Sequence, residues 1–219
     1  MKTGELQTLY QEHLHAWLPG YVRRKHLLFH FPVELLLKGF HFESAAFDRS
    51  FTIECFIQPL YIPREHLVFN IGRRLGGRSG RWFEFHQIQK PQGLEELCEL
   101  LENQGLPFHR LIESPADLVT MLRSDTAPIT VARQEAIAYL MCLDDLADHD
   151  EVRTAFNGLR KLLEPDMQTK WVQVMDVRAT QLLGAINRSP KAARELLLDW
   201  AARTRGVLNL QEGENSRRQ

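Results

Sequence analysis

Phe51-Thr52-Ile53-Glu54-Cys55-Phe56-Ile57-Gln58 alternates in character, with Phe51, Ile53, Cys55 and Ile57 on one side. Period-two spacing, rich in aromatic and β-branched side chains, is the signal of a strand with one face in a core. Upstream, Phe40-His41-Phe42-Glu43 alternates the same way, and Leu27, Phe29 and Phe31 share a side. Between these, Val33–Lys38 reads as a short helix or turn closed by Gly39. Downstream, Leu67–Ile71 and Trp82–His86 complete the set. Ten of the twelve Phe fall between residues 29 and 85. Four or five strands are expected, mostly antiparallel, because the links are too short for crossover helices.

On both sides of this region the period is helical. Leu6, Leu9, Tyr10, Leu14, Trp17 and Leu18 form one stripe, stopped by Pro19-Gly20. After Lys90-Pro91-Gln92-Gly93, Leu94, Leu97, Cys98, Leu100 and Leu101 make a helical face. Ser114-Pro115-Ala116-Asp117 and Ser189-Pro190 read as N-cap plus proline starts. Four helices are expected at 130–146, 151–164, 168–187 and 190–205. In the third, Trp171, Val174, Met175, Leu182, Leu183 and Ile186 are expected to share a stripe. The expected architecture is α+β. Residues 1–90 hold an N-terminal helix and a small antiparallel sheet, 91–210 are helical, and 211–219 form a polar tail.

The 219 residues are 44% apolar and 25% charged, ordinary for a globular chain. Cys55, Cys98 and Cys142 are odd in number and in no CxxC pair, which fits reduced thiols in a cytoplasm rather than a zinc site or disulfides. The first residues do not read as a signal peptide, and apolar stretches such as Val33–Leu37 are far too short to span a bilayer. The net charge of −1 hides a split: 12 Lys/Arg against 8 Asp/Glu in residues 1–90, and 15 against 20 in the rest. That falls well short of a nucleic-acid-binding composition.

Five features are weighed for candidate chemistry. In Asn70–Trp82, Arg73, Arg74, Arg78 and Arg81 are interleaved with Gly72, Gly76, Gly77 and Gly80, and Trp82 follows. Glycines let a backbone approach an anion and guanidinium groups grip it. No P-loop lysine or following helix is present, so an acidic protein surface is the expected partner, beside the reading of a charged hairpin connection. Leu60-Tyr61-Ile62 sits between Pro59 and Pro63, either as an exposed partner anchor or as a core plug. The alternate side of the sheet offers His41, Glu43, Glu54, Glu84 and His86, a metal or acid–base cluster if register gathers them and a solvated face otherwise. Leu143–Glu151 is acidic without the glycine of a calcium loop, and reads as the charged start of the next helix. His13 and His15 are two apart on a helix and cannot chelate together. No nucleophile elbow, HExxH or dinucleotide fingerprint occurs, and no cofactor, metal or catalytic residue is assigned.

The stretch Phe51–Leu75, with its QPLYIP turn and NIGRRL ending, resembles segments of uncharacterised bacterial α+β proteins of unknown-function or immunity type. That resemblance implies an accessory protein of a toxin–immunity or phage-defence setting and carries over no functional residue. The expectation is therefore a non-enzymatic, cytoplasmic protein-binding module. It would use Leu60, Tyr61, Ile62, Arg73, Arg74, Arg78, Arg81 and Trp82 against an acidic partner. The alternatives are a nucleic-acid-associated protein gripping phosphate with the arginine loop, and a metal-dependent hydrolase using the polar face.

Overall fold

The computed structural model describes residues 3–46, 49–124, 126, 128–143 and 149–210. The expected tail at 211–219 and the acidic stretch at 144–148 lie outside the described residues. The fold is α+β: an antiparallel sheet with an N-terminal helix, followed by helices. No helix among the described residues is long and apolar enough to cross a membrane.

The chain forms two compact units. The described residues of the sheet unit fall within Met1–Gln58, Leu67–Leu111 and Asn209–Gln219, and those of the helical unit within Pro59–His66 and Ile112–Leu208. The chain therefore passes between the units four times.

In the sheet unit, α1 (Thr3–Leu9) runs through a π-helical turn, Tyr10–Leu14, into α2 (His15–Trp17). Six strands follow among the described residues: β1 (Tyr21–Arg24), β2 (Leu27–His30), β3 (Leu36–Ser44), β4 (Ser50–Pro59), β5 (Gly72–Arg74) and β6 (Phe83–Glu84). Their order is β1-β2-β3-β4-β5, with β6 also paired to β4. β1 and β2 form a hairpin in which Arg24 opposes Leu27 and Lys25 takes a left-handed φ of 51°. Residues 67–71, expected as a strand, instead run outside the ladder, tied by Ile57 N–H to Ile71 O (2.8 Å).

Gly39 corrects another expectation. It does not end a helix but lies inside β3. A Cβ there would come 2.9 Å from Leu28 O and 3.0 Å from the Phe56 ring, so the bare backbone lets that ring pack flat on the sheet.

The core forms where Leu6, Leu14 and Leu18 meet Leu28, Phe40, Phe42, Phe51, Ile53 and Cys55. Each such buried side chain contributes roughly 1.5–3 kcal/mol of transfer free energy. The other side of this core comes from α3 (Phe85–Ile88), α4 (Pro91–Leu100), a π-helical turn at Leu101–Gly105 and α5 (Leu106–Arg110), which supply Ile88, Leu97, Cys98 and Leu101. Gly105 lies tight against this core. A Cβ there would sit 2.5 Å from the Phe40 ring.

The helical unit contains α6 (Pro115–Ser124), α7 (Val131–Leu140), α8 (His149–Leu163), α9 (Lys170–Arg188) and α10 (Pro190–Val207). Both cap-plus-proline starts form. Ser114 Oγ accepts from Asp117 N–H (3.3 Å) while the Asp117 carboxylate accepts from Ser114 N–H (2.8 Å), and Ser189 Oγ accepts from Ala192 N–H (3.1 Å). The stripe expected along α9 splits. Met175, Leu182 and Ile186 are buried, whereas Trp171 and Val174 face outward.

Candidate functional site

The glycine–arginine stretch is an excursion in an edge strand rather than a hairpin link. β5 pairs with β4 (Glu54 opposite Arg74, Phe56 opposite Gly72), and β6 pairs with the same strand further on (Phe51 opposite Phe83). Residues 75–82 therefore bulge out where β4 needs only Thr52 and Ile53. Gly76, Gly77 and Gly80 supply φ values of 86°, 99° and 75°, which side-chain-bearing residues rarely adopt.

The bulge is tied down at both ends. Leu75 N–H donates to Ile53 O (2.9 Å), Arg81 N–H to Leu75 O (2.7 Å) and Gly76 N–H to Gln104 Oε1 (2.9 Å). Arg73 donates to Gln104 O (3.0 Å) and lies over the Phe108 ring. Arg74 pairs with Glu43 (2.7 Å), and Arg81 pairs with Glu96 (2.8 Å) over the Phe83 ring. Arg78 has no charged partner among the described residues, and Trp82 is 38% exposed. Two of the four arginines thus meet carboxylates, and the loop offers about two uncompensated positive charges.

The polar face comes together only in part. Glu54, Arg74 and Glu43 are neighbours, and burial pushes the Glu54 carboxyl upward, opposed by Arg74 and reinforced by Glu43. His41 stacks on Phe69 (4.8 Å), and burial lowers its basicity, with Glu43 opposing and His26 adding to the effect. Glu84 and His86 pair with each other at 3.0 Å, and Glu84 stands opposite Ser50, about 13 Å along β4 from Glu54. Among the described residues, no three His, Cys, Asp or Glu side chains group as a metal site. Nor is this a solvated face throughout: Thr52, Phe56 and Gln58 are buried. Phe69 packs edge-on against Phe56 (4.7 Å), Gln58 Oε1 accepts from Val68 N–H (3.0 Å), and Gly80 lies against Thr52.

Leu60–Ile62, read as either an exposed anchor or a core plug, takes the second form. Leu60, Tyr61 and Ile62 are all buried in the helical unit, as a core plug. The plug is pinned by a charge cluster not singled out in the sequence. Glu135, fully buried, accepts from Arg178 (2.6 Å) and Arg64 (2.9 Å), and Arg178 also donates to Pro63 O (3.0 Å). The signal available was one acid directly before the apolar run Ala136–Leu143.

A second unforeseen group lies in the core of the sheet unit. Tyr21 Oη is 2.6 Å from His109 Nδ1, and His109 Nε2 is 3.2 Å from both Phe56 O and Cys55 Sγ. Burial pushes the His109 imidazole down to about 4, so it is neutral at pH 7. The neutral ring with its proton on Nε2 donates to Phe56 O and accepts from the Tyr21 hydroxyl. Cys55 donates to Gly105 O (3.6 Å), and burial pushes its thiol far above the usual range. A cysteine beside a histidine suggests a nucleophile pair, but this thiol is buried and stays protonated, so the group holds the core together.

Compared with protein families, curated proteins and solved structures, the chain gives no match.

Proposed function

We propose that the chain is a non-enzymatic protein-binding module whose contact surface is the 75–82 excursion. The observation that carries this reading is the pinning of a solvent-facing loop by backbone and side-chain hydrogen bonds at both ends, with Trp82 and Arg78 outward. A loop ordered before binding loses little conformational entropy on contact. Tryptophan and arginine are the side chains that most often dominate contact energy. The residual charge favours an acidic partner and supports selectivity and approach rate more than affinity. Pairing of Arg74 and Arg81 with Glu43 and Glu96 leaves too few free cations for a phosphate grip, so the surface favours protein over nucleic acid.

Three buried, unpaired thiols support a reducing compartment, and the cytoplasm is the proposed one. The bacterial immunity or phage-defence setting rests on the resemblance of residues 51–75 alone. The test is quantitative co-purification under reversible cross-linking, comparing the wild type with Trp82→Ala/Arg78→Glu, both shown folded by circular dichroism. Enrichment of one acidic protein by the wild type, lost at least tenfold in the variant, is the expected result. No enriched protein, or equal enrichment by both, overturns the proposal.

A further inference from the structure

α9 carries an apolar face that nothing among the described residues covers. Trp171, Val174 and Val177 are 51%, 48% and 54% exposed on a helix whose opposite side is buried in the helical unit. Continuing at three- and four-residue steps, the same face holds Gln181, Gly184 and Arg188, all exposed. Gly184 is the unexplained member. Mid-helix glycine costs about 1 kcal/mol relative to alanine, yet a Cβ at Gly184 would meet nothing within 4 Å. The rest of the chain gives no reason for the missing side chain.

We infer that this face pairs with a second copy of the chain, α9 against α9 in antiparallel register about a two-fold axis between Val177 and Arg178. That register sets Trp171 of each copy over Gly184 of the other, a large ring on a bare backbone. It sets Val174 opposite Gln181, and the two Val177 side chains meet at the axis. It also brings opposite charges together twice. Exposed Glu164 and Asp166, just before α9, meet exposed Arg188 and Lys191 at the far end of the other copy. A surface that meets its own image in this way is the isologous kind that closes as a dimer. The 19-residue helix is about 28 Å long, so the face covers roughly 300 Å² per copy. That is below the roughly 800 Å² of a standard interface, and it places the association in the weak, concentration-dependent class. The inference uses α9 and the charges beside its two ends, and does not depend on the 75–82 surface.

Sedimentation equilibrium on the full chain, from about 1 μM to about 500 μM, spans micromolar association. The wild type is expected to shift from monomer to dimer across that range. Val177→Glu places two carboxylates at the axis and is expected to remain monomeric. Gly184→Leu is expected to weaken the dimer at least tenfold while keeping or raising the melting temperature, because its side chain has open space in the single copy. That pairing of effects separates a lost interface from a lost fold. Val177→Cys is expected to give a disulfide-linked dimer on mild oxidation, the three native thiols being buried. Glu164→Lys/Asp166→Lys is expected to weaken association, and mixing it with Arg188→Glu/Lys191→Glu to restore it. A wild type that stays monomeric throughout overturns the inference, as does a dimer indifferent to Val177→Glu and Gly184→Leu. Capture of a different protein by this face from a monomeric wild type overturns it equally.

Discussion

Lowering the pH should weaken the sheet unit, and among the imidazoles there whose basicity burial lowers, His109 is shifted furthest. Its imidazole is buried and neutral, accepting from the Tyr21 hydroxyl and donating to Phe56 O. Its folded pKa is about 4, against 6.5 for the free side chain, with desolvation the main cause. Because the folded value is depressed, the unfolded chain binds more protons between pH 6.5 and pH 4, and stability falls as pH drops through that window. The loss relative to high pH is RT ln[(1+10^(6.5−pH))/(1+10^(4−pH))], which gives about 1.4 kcal/mol at pH 5.5 and about 2.5 kcal/mol at pH 4.5. The assay is urea unfolding by circular dichroism at pH 7, 5.5 and 4.5, for the wild type and His109→Gln. Carboxylates titrating lower down, the remaining lowered imidazoles His26, His30 and His41, and Glu54 with its opposite sign act in both proteins and cancel in the difference. The glutamine variant is less stable at pH 7 but lacks the His109 share of the acid dependence, so the two stabilities converge by about 2 kcal/mol at pH 4.5. Parallel curves for the two proteins would refute the placement of a neutral imidazole in this core.

Other perturbations have signs set by the packing. Glu135→Gln leaves two guanidinium groups facing a neutral amide in the helical unit and should cost about 3–5 kcal/mol in urea unfolding. Gly105→Ala drives a methyl into the Phe40 ring, where the close distance is 2.5 Å, and should lower stability by about 1–3 kcal/mol. The native protein should react with no thiol reagent at pH 8 on the minute scale and with three equivalents in denaturant, since burial pushes Cys98 up to about 11, Cys142 up to about 12 and Cys55 higher still.

Much of the architecture was legible because its signals are local. Alternation at Phe51–Ile57 located β4, the strand that pairs with β3, β5 and β6, and the serine–proline pairs at 114 and 189 located two helix starts. The misreadings share a cause: tertiary proximity decided what local pattern left open. Gly39 looks like a helix stop, but its reason is the Phe56 ring. Thr52 and Gln58 look like solvent-facing strand positions, but loop residues from 67 to 80 lie on them. Trp171 and Val174 fit a buried stripe by spacing, while the helix is wide enough to place them outside it. Within the candidate site, the arginines and Trp82 were visible as a composition anomaly. The carboxylates that occupy two of them, Glu43 and Glu96, lie 31 and 15 residues away from their partners, beyond any spacing rule. Leu60–Ile62 was balanced between anchor and plug because prolines mark a departure from a sheet without saying where the chain goes.

Hydrogen exchange at the amides of Gly76 and Arg81 is the most direct check on a binding surface ordered in advance. Both N–H groups are occupied, by Gln104 Oε1 and Leu75 O. Protection factors above about 100, comparable with those in β5, are expected for the free protein. Exchange of both at unstructured-peptide rates would show a loop with no standing shape, and the proposed surface would be lost with it.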